Sequence, residues 1–439
     1  MLLDPRLALP ASLLALLACF RRCFTAPTFV TFCALCVGFV AQPARRTVCG
    51  MLVGARLSRV WSHHRAHRFF SHARWSVQEV SAVMARLVVD RLVPVDASVP
   101  VAIDDTLFRR TGKQVHAAAW FHDGSARGQR QVGYGNNWVI VAIIVRLPFL
   151  GRPVALPVYF ALVRKGGDAA SRLTLARALV EQLATAVPGR RLHVVADCAY
   201  AGKTLRALPT CVTWTTRLRS NAALYALAPP RTGKRGRPRL KGARLASLAD
   251  LAAAAVFTTT TVTRYGDTDT VATAVIDCLW YGVFGPQQVQ VVLVRDSAST
   301  GYDIALVSTD LSATPAELVE RYASRWSIEV AIEDAKQTTG VGQARNRAPR
   351  AVERTVPFTL IASTLVICWY ATVGYHPDDV EQVRALSPWY RDKAQPSVSD
   401  MVVKLRRVII AAQFRRTDPQ PATPAEIHTV RLAWADVAA

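Results

Sequence analysis

One stretch of the chain, residues 322–336, constrains the fold most, because its polar residues are spaced for a helix and not for a strand. Offsets of 0, 3, 7 and 14 residues separate Tyr322, Arg325, Glu329 and Lys336. At about 100° per residue, these offsets project within roughly 60° of one another on an α-helix. The sequence therefore predicts a single helix that presents a phenol, a guanidinium, a carboxylate and an ammonium group on one face.

These four groups suit phosphate chemistry. A carboxylate can hold a divalent metal ion, while a neighbouring arginine and lysine bind the oxyanions of a nucleic-acid backbone. The composition agrees, since the 439 residues carry a formal net charge of +23. A balance this basic favours a polyanionic partner, such as DNA, RNA or an anionic membrane, over a small-molecule substrate.

Two uncharged apolar runs, residues 23–44 and 358–375, are long enough to suggest membrane helices. The first contains prolines and is bounded by arginine pairs, and the second closely follows the helix predicted at 322–336. Both features favour buried core helices. The first residues are a poor secretory signal because Asp4 and Pro5 interrupt their start. We expect no membrane partner and a cytoplasmic, nucleoid-associated protein.

The cysteines and histidines do not predict a metal site of their own. Of the nine cysteines, only Cys33 and Cys36 have metal-ligand spacing, and no second pair of cysteines or spaced histidines accompanies them. Reduced thiols in the core are therefore expected. The four histidines within residues 63–72 alternate with arginines and aromatic residues, as in a helix that packs or faces nucleic acid.

Changes in sequence texture divide the chain into regions. Strand and helix patterns alternate from Val99 to Asp197 and indicate an α/β core. The predicted regions are, in order, a helical, Arg-rich region (1–95), the first part of the α/β core (96–205), a β-rich insertion with a basic loop (206–310), the last part of the core (311–375) and a helical C-terminal region (376–439).

Acidic residues lie at the ends of two of the predicted strands. The first strand ends in Asp104 and Asp105, and a second, buried strand ends in Asp197. Carboxylates at strand ends are held rigidly beside the loops that bind substrates, although a single aspartate there is more often a turn former or a helix cap. Together with Glu329, these acids predict a site for two divalent ions about 4 Å apart. Mg²⁺ suits it best, because Mg²⁺ keeps several waters and needs few protein carboxylates.

The chain resembles the DDE transposases of bacterial cut-and-paste insertion sequences, in particular the group with a Tyr-x2-Arg-x3-Glu-x6-Lys (YREK) signature. Residues 103–113 resemble the first-aspartate region of that family, and residues 195–202 resemble the second. The resemblance covers residues 96–375. The signature spacing is matched without a gap by Tyr322, Arg325, Glu329 and Lys336.

The resemblance implies a ribonuclease-H-like core interrupted by the β-rich insertion. Its catalytic and metal-binding triad would be Asp105, Asp197 and Glu329, which would hold two Mg²⁺ ions that Mn²⁺ can replace. Asp105 is preferred to Asp104 because the aspartate of this family is usually followed by threonine. Strand alternation allows only one of the two neighbours to point into the site. Glu333 lies one helical turn after Glu329 and is a rival ligand outside the signature spacing.

The resemblance also implies that Arg325 and Lys336 hold phosphates near a transposon end, where Tyr322 would stack or donate a hydrogen bond. A basic loop at residues 232–241 adds DNA contacts predicted at Lys234, Arg235, Arg237 and Arg239. Its Gly-Arg-Pro-Arg sequence resembles the hooks that enter the minor groove, and a nonspecific clamp on DNA is an equal alternative.

The function implied is that of a DNA transposase, which cleaves transposon ends and joins their 3′-hydroxyls to target DNA. A homodimer would hold the paired ends, with a hairpin intermediate, and the Arg-rich region 1–95 would read the terminal inverted repeats. The main alternative is a catalytically inactive DNA-binding protein derived from a transposase. A basic membrane-associated protein is a lesser alternative.

Overall fold

A computed structural model describes residues 7, 9–124, 131–230, 238–296, 300–414, 424–425 and 427–428. The chain begins with five helices, as the leucine, alanine and arginine periodicity predicts. Serine or threonine side chains cap the N-termini of α3, α4 and α5 by accepting hydrogen bonds from backbone N–H groups. These helices are α1 (Ala11–Ala18), α2 (Ala26–Ala41), α3 (Val48–Gly54), α4 (His63–Ser71) and α5 (Val77–Leu92).

A mixed sheet follows, which confirms the predicted α/β class. Its strands are β1 (Val99–Arg109), β2 (Ala119–His122), β3 (Val132–Val145), β4 (Val154–Leu162), β5 (Leu192–Ala196), β6 (Val212–Arg217), β7 (Thr258–Arg264), β8 (Asp267–Leu279), β9 (Gln288–Asp296) and β10 (Ile304–Ser308). Hydrogen bonds join them into one ten-stranded sheet in the order β2-β3-β1-β5-β6-β10-β9-β8-β7, with β4 also paired to β3.

The remaining helices cover the sheet and extend beyond it. They are α6 (Arg172–Ala186), α7 (Leu248–Ala254), α8 (Tyr281–Phe284), α9 (Pro315–Ser324), α10 (Trp326–Gln337), α11 (Pro349–Trp369), α12 (Asp379–Leu386) and α13 (Val398–Phe414). Helix α6 packs against β3 and β4, while α10 packs against β4 and β1.

The prediction that the first strand ends at Asp104 and Asp105 is wrong, because β1 continues through both residues to Arg109, paired with β3 along that length. Strand β1 runs antiparallel to β3 and parallel to β5, with Ile103 opposite Ala196. Asp104 therefore follows Ile103 at the level where Asp197 follows Ala196, at the C-terminal end of β5. The register brings the two acids to one level of the sheet.

The β-rich segment 206–310 adds its strands to the same sheet. Strand β6 pairs parallel to β5, and β10 pairs antiparallel to β6, so that β9, β8 and β7 continue the sheet outward. Val291 and Val292 are both buried, although they point to opposite faces of β9. Packing on both faces explains the long apolar run in this part of the sequence.

The prediction of a single helix over residues 322–336 is wrong, because the helix is interrupted at Arg325, between α9 and α10. The Arg325 N–H donates to the carbonyl of Tyr322, three residues back, over 3.1 Å. Hydroxyl groups of Ser324 and Ser327 also bond carbonyls three residues earlier, at 2.7 Å each. Such serine bonds compete with the regular helical pattern. The two halves also pack on different strands, α9 on β7 and β10, and α10 on β4 and β1.

The two apolar runs form α2 and α11, whose side chains pack inside the protein. Helix α11 contacts β4, α4, α5 and α13, and an edge-to-face contact joins Phe32 of α2 to Phe358 of α11. Within the part of the chain described, one helix is long and apolar enough to cross a membrane, namely α11 with the π-helical turn that extends it to Gly374. Of its most apolar 18-residue stretch, 83% is buried. Burial of this kind is what a core helix requires.

Helices α2 and α3 approach each other so closely that their contact depends on glycine. A Cβ atom at Gly38 would lie 1.7 Å from the carbonyl oxygen of Met51. We predict that Gly38→Ala lowers the free energy of unfolding by about 3 kcal/mol, because the helices must separate to admit the methyl group. Chemical denaturation would measure this. Gly167→Ala is the matched control, since its Cβ would meet no atom within 4 Å. Equal effects of the two substitutions would contradict the prediction.

Candidate active site

Three acidic positions converge from three elements. Asp104 lies on β1, and Asp197 directly follows β5 as the N-cap residue of a 3₁₀ turn, Cys198–Tyr200. Glu329 lies in the first turn of α10. The sequence predicted Asp197 and Glu329 for one site, and the fold brings both toward Asp104, at the C-terminal end of β5.

Arg325 lies among these acids at the junction of α9 and α10. One of its guanidinium nitrogens is 2.7 Å from a carboxylate oxygen of Glu329, and the guanidinium carbon is 5.7 Å from the centre of the Tyr322 ring. Burial raises the pKa of the Tyr322 hydroxyl, the Arg325 charge opposes that shift, and the Asp197 carboxylate adds to it. Arg325 therefore lies beside Glu329 and Tyr322, and Tyr322 in turn lies near Asp197.

Asp104 shares this environment. Burial raises its pKa to about 6; a hydrogen bond from the Asp105 N–H and the Arg325 charge oppose the shift, and the charges of Asp105 and Glu329 add to it. Two neighbouring acids therefore disfavour the ionised form of Asp104, as expected for carboxylates that crowd one site. Arg325 partly neutralises the group.

Asp105, predicted as the first triad member, has a different set of contacts. Its Oδ2 atom lies 3.1 Å from Nε of Arg172 and accepts a hydrogen bond of 3.0 Å from the side-chain amide of Asn137. Its Oδ1 atom accepts a hydrogen bond of 2.9 Å from the hydroxyl of Tyr200. The sequence reasoning did not select these three partners, because no local spacing relates them to Asp105.

Lys336 does not pair with Glu329. Its ammonium group donates a hydrogen bond of 2.6 Å to the hydroxyl of Thr106 and lies 5.5 Å from the centre of the Phe108 ring. Burial lowers the pKa of Lys336, and the Asp104 charge is among the groups that raise it. The last residue of the signature therefore attaches α10 to β1, close to Asp104.

The donors present are of the type that Mg²⁺ takes, namely carboxylate oxygens. In the described residues, however, no group of three or more His, Cys, Asp or Glu side chains is already arranged to hold a metal ion. Glu329 is engaged by Arg325, and the rival Glu333 accepts a hydrogen bond of 2.8 Å from Gln337 instead. The carboxylate oxygens fit a divalent cation, and Glu329 must release Arg325 in order to bind one.

Basic residues border this part of the sheet. A cleft of about 670 Å³ begins at Cys198, next to Asp197, and its lining includes Arg217 and Arg219. Among the residues predicted to bind DNA, Arg239 is exposed. The other three, Lys234, Arg235 and Arg237, lie outside the described residues.

Comparison with known proteins identifies the class. A family model described as "DDE superfamily endonuclease" matches residues 19–274. The chain belongs to this family. The matched span includes Asp104, Asp105 and Asp197 and ends before Glu329. No curated protein gives a significant match. Among solved structures, the chain is similar to one titled "Cryo-EM structure of piggyBac transposase synaptic complex with hairpin DNA", with 12% identity, a TM-score of 0.41, and coverage of 99% of this chain and 85% of that chain.

The raised pKa of Asp104 predicts a pH-dependent loss of stability. Because the fold favours the neutral carboxyl group, its contribution is present below about pH 4 and is lost as the pH rises through about 6. The parent chain loses this contribution between those pH values, whereas Asp104→Asn stays neutral and does not. The free energy of unfolding of Asp104→Asn, relative to that of the parent, should therefore rise by about 1–3 kcal/mol over this range. Denaturation curves at several pH values would test this, with the exposed Asp96→Asn as the control. A constant difference between Asp104→Asn and the parent would contradict it.

Proposed function

We propose that this chain is a metal-dependent DNA transposase. The observation that carries the proposal is the grouping of Asp104 and Glu329 around Arg325, with Asp197 near Tyr322, in a member of the DDE superfamily endonucleases. A strongly basic chain supports DNA as the partner. The Tyr322, Arg325, Glu329 and Lys336 spacing supports the YREK group of bacterial insertion sequences.

The sheet order supports the fold expected for this function. We infer that the unit β4-β3-β1-β5-β6, in which β3 alone runs antiparallel to its neighbours, is the ribonuclease-H-like core. Strands β7 to β10 would then form the β-rich insertion. The helices before β1 and after α11 would be the helical terminal regions.

Carboxylates of the β1 pair, Asp197 and Glu329 would hold two Mg²⁺ ions, or Mn²⁺ in their place. Such ions, when bound, activate the attacking oxygen and stabilise the leaving one in phosphodiester cleavage. Arg325 would turn from Glu329 to a DNA phosphate, a change that keeps its charge paired. Lys336 would hold a second phosphate next to Thr106, and Tyr322 would contact the DNA end.

The proposed reaction alternates hydrolysis and strand transfer. Water first hydrolyses one phosphodiester at each transposon end, releasing a 3′-hydroxyl. That hydroxyl attacks a phosphodiester of the opposite strand, which forms a hairpin and displaces the flanking strand with a 3′-hydroxyl. Water then hydrolyses the hairpin and frees the 3′-hydroxyl of the transposon end, which attacks the target duplex and displaces a 3′-hydroxyl there. A homodimer would hold both ends, the Arg-rich region 1–95 would read the terminal repeats, and the protein would act at the nucleoid in the cytoplasm.

We predict that the parent chain nicks a labelled duplex carrying the element's terminal repeat when Mg²⁺ is present and not when EDTA is present. Asp197→Asn and Glu329→Gln should each reduce the cleavage rate by at least about 10³-fold, because each removes a charged metal ligand. Binding to the same duplex, measured by gel shift, should persist in both variants.

Glu333→Gln provides the matched control for Glu329→Gln, because Glu333 lies on the same helix and is bonded to Gln337. It should cleave at the parental rate. If the parent binds the repeat and never cuts it under any divalent metal, the protein is a DNA-binding relative that has lost catalysis.

The basic loop predicts a change in salt dependence. Replacing Lys234, Arg235, Arg237 and Arg239 with alanine removes up to four phosphate contacts, so the slope of log K against log salt should become shallower by up to about 4. Binding titrations at several salt concentrations would measure the slope on repeat and unrelated duplexes. An unchanged slope would show that the loop does not contact the DNA backbone.

A further inference from the structure

We infer that the adjacent aspartates of β1 have different roles. Asp104 is the β1 carboxylate that shares the site with Glu329, and Asp105 is a positioning residue that fixes the turn of Asp197 through Tyr200. This inference rests on the proposed function and deepens it, because it assigns each acid of the pair to one face of the strand.

The faces of β1 follow from the contacts of alternate residues. Lys336 of α10 bonds Thr106 and lies against Phe108, so even-numbered residues of this part of β1 face α10. Asp104 belongs to that face, which agrees with the effects of Glu329 and Arg325 on its pKa. Asp105 turns to the opposite face, where it meets Arg172 at the start of α6.

The Asp105 carboxylate is already satisfied by protein donors. A carboxylate has about four acceptor positions, and hydrogen bonds from Asn137 and Tyr200 occupy two of those of Asp105. The cationic guanidinium of Arg172, whose Nε–H donates to the side-chain oxygen of Asn137, also forms an ion pair with Asp105. A metal ion there would have to displace this cation or lie beside it. In contrast, the hydrogen bond described for the Asp104 carboxylate comes from the backbone N–H of Asp105 and takes one acceptor position of its Oδ1 atom.

Tyr200 transmits the position of Asp105 to Asp197. Its ring is buried, with 2% of the residue exposed, and its N–H donates a hydrogen bond of 2.9 Å to the carbonyl of Asp197. Its hydroxyl donates to Asp105. The 3₁₀ turn that bears Asp197 is therefore bonded to β1 at one end and continuous with β5 at the other. Partners of this kind orient metal ligands, and their loss typically lowers metal affinity 10–100-fold.

Metal binding distinguishes the two roles. Mn²⁺ titrations of the full chain, followed by electron paramagnetic resonance, should show that Asp104→Asn weakens binding by more than about 100-fold. Asp105→Asn and Tyr200→Phe should weaken it only about 10–100-fold. Cleavage by Asp105→Asn and Tyr200→Phe should recover at high Mn²⁺. Their half-saturating metal concentration should be raised, while their maximal rate should be nearly that of the parent. Tyr159→Phe, which removes another buried tyrosine hydroxyl, should match the parent.

A second measurement tests the positioning role without metal or DNA. Cys198 lies in the turn beside Asp197 and is partly exposed, as is Cys211, which serves as an internal reference. Alkylation with iodoacetamide, resolved by mass spectrometry, should be several-fold faster at Cys198 in Asp105→Asn and Tyr200→Phe. Asp104→Asn should leave the ratio of the two rates unchanged.

The inference would be overturned if Asp104→Asn bound Mn²⁺ with normal affinity and Asp105→Asn lost cleavage that high Mn²⁺ did not restore. An unchanged Cys198 rate in both Asp105→Asn and Tyr200→Phe would overturn the positioning role. If the parent neither binds Mn²⁺ nor cleaves DNA, the proposed function and the role of Asp104 fail together. The Cys198 rates then still decide whether Asp105 fixes the turn.

Discussion

The parallel pairing of β1 with β5 is the constraint on which the candidate site depends. It places Ile103 beside Ala196, so Asp104 and Asp197 follow at the same level, where β5 ends. The antiparallel partner β3 fixes the other side of β1 and supplies Asn137, which bonds Asp105. A slip of one residue in β1 would exchange the faces of Asp104 and Asp105. Buried residues on both faces of β1, such as Ala102 and Ile103, oppose such a slip.

Charge balance explains why several acids can share this part of the sheet. Arg325 pairs with Glu329 and partly offsets the crowding of Asp104, while Arg172 pairs with Asp105 on the opposite face. Both ion pairs are partly exposed, and such pairs gain little net stability, because water screens their attraction and burying the charges costs free energy. Their value in this fold is placement, since each arginine fixes the orientation of one carboxylate.

The sequence was sufficient for features that depend on local pattern. Apolar runs predicted a strand that reaches Asp104 and one that ends before Asp197, and residue spacing predicted that Arg325 and Glu329 meet. They did not predict that β1 continues past Asp104 to Arg109, because pairing with β3 extends it. The sequence did not predict the break at Arg325, because that break follows from serine bonds and from packing on different strands. It also could not identify Tyr200 and Arg172 as partners of Asp105. Those contacts come from register and tertiary packing, which residue spacing does not encode.

The pairing of β6 with β5 places the start of a basic segment beside the acidic residues. Ala196 pairs with Thr216, so Arg217 at the end of β6 lies at the level of Asp197. Arg217 begins the basic segment that continues to Arg244, and the same strand is held on its outer side by β10. One hydrogen-bonded register therefore positions both the carboxylates and the first arginine of the basic segment. A polyanion attracted to that segment would meet the sheet at the level where the acids converge.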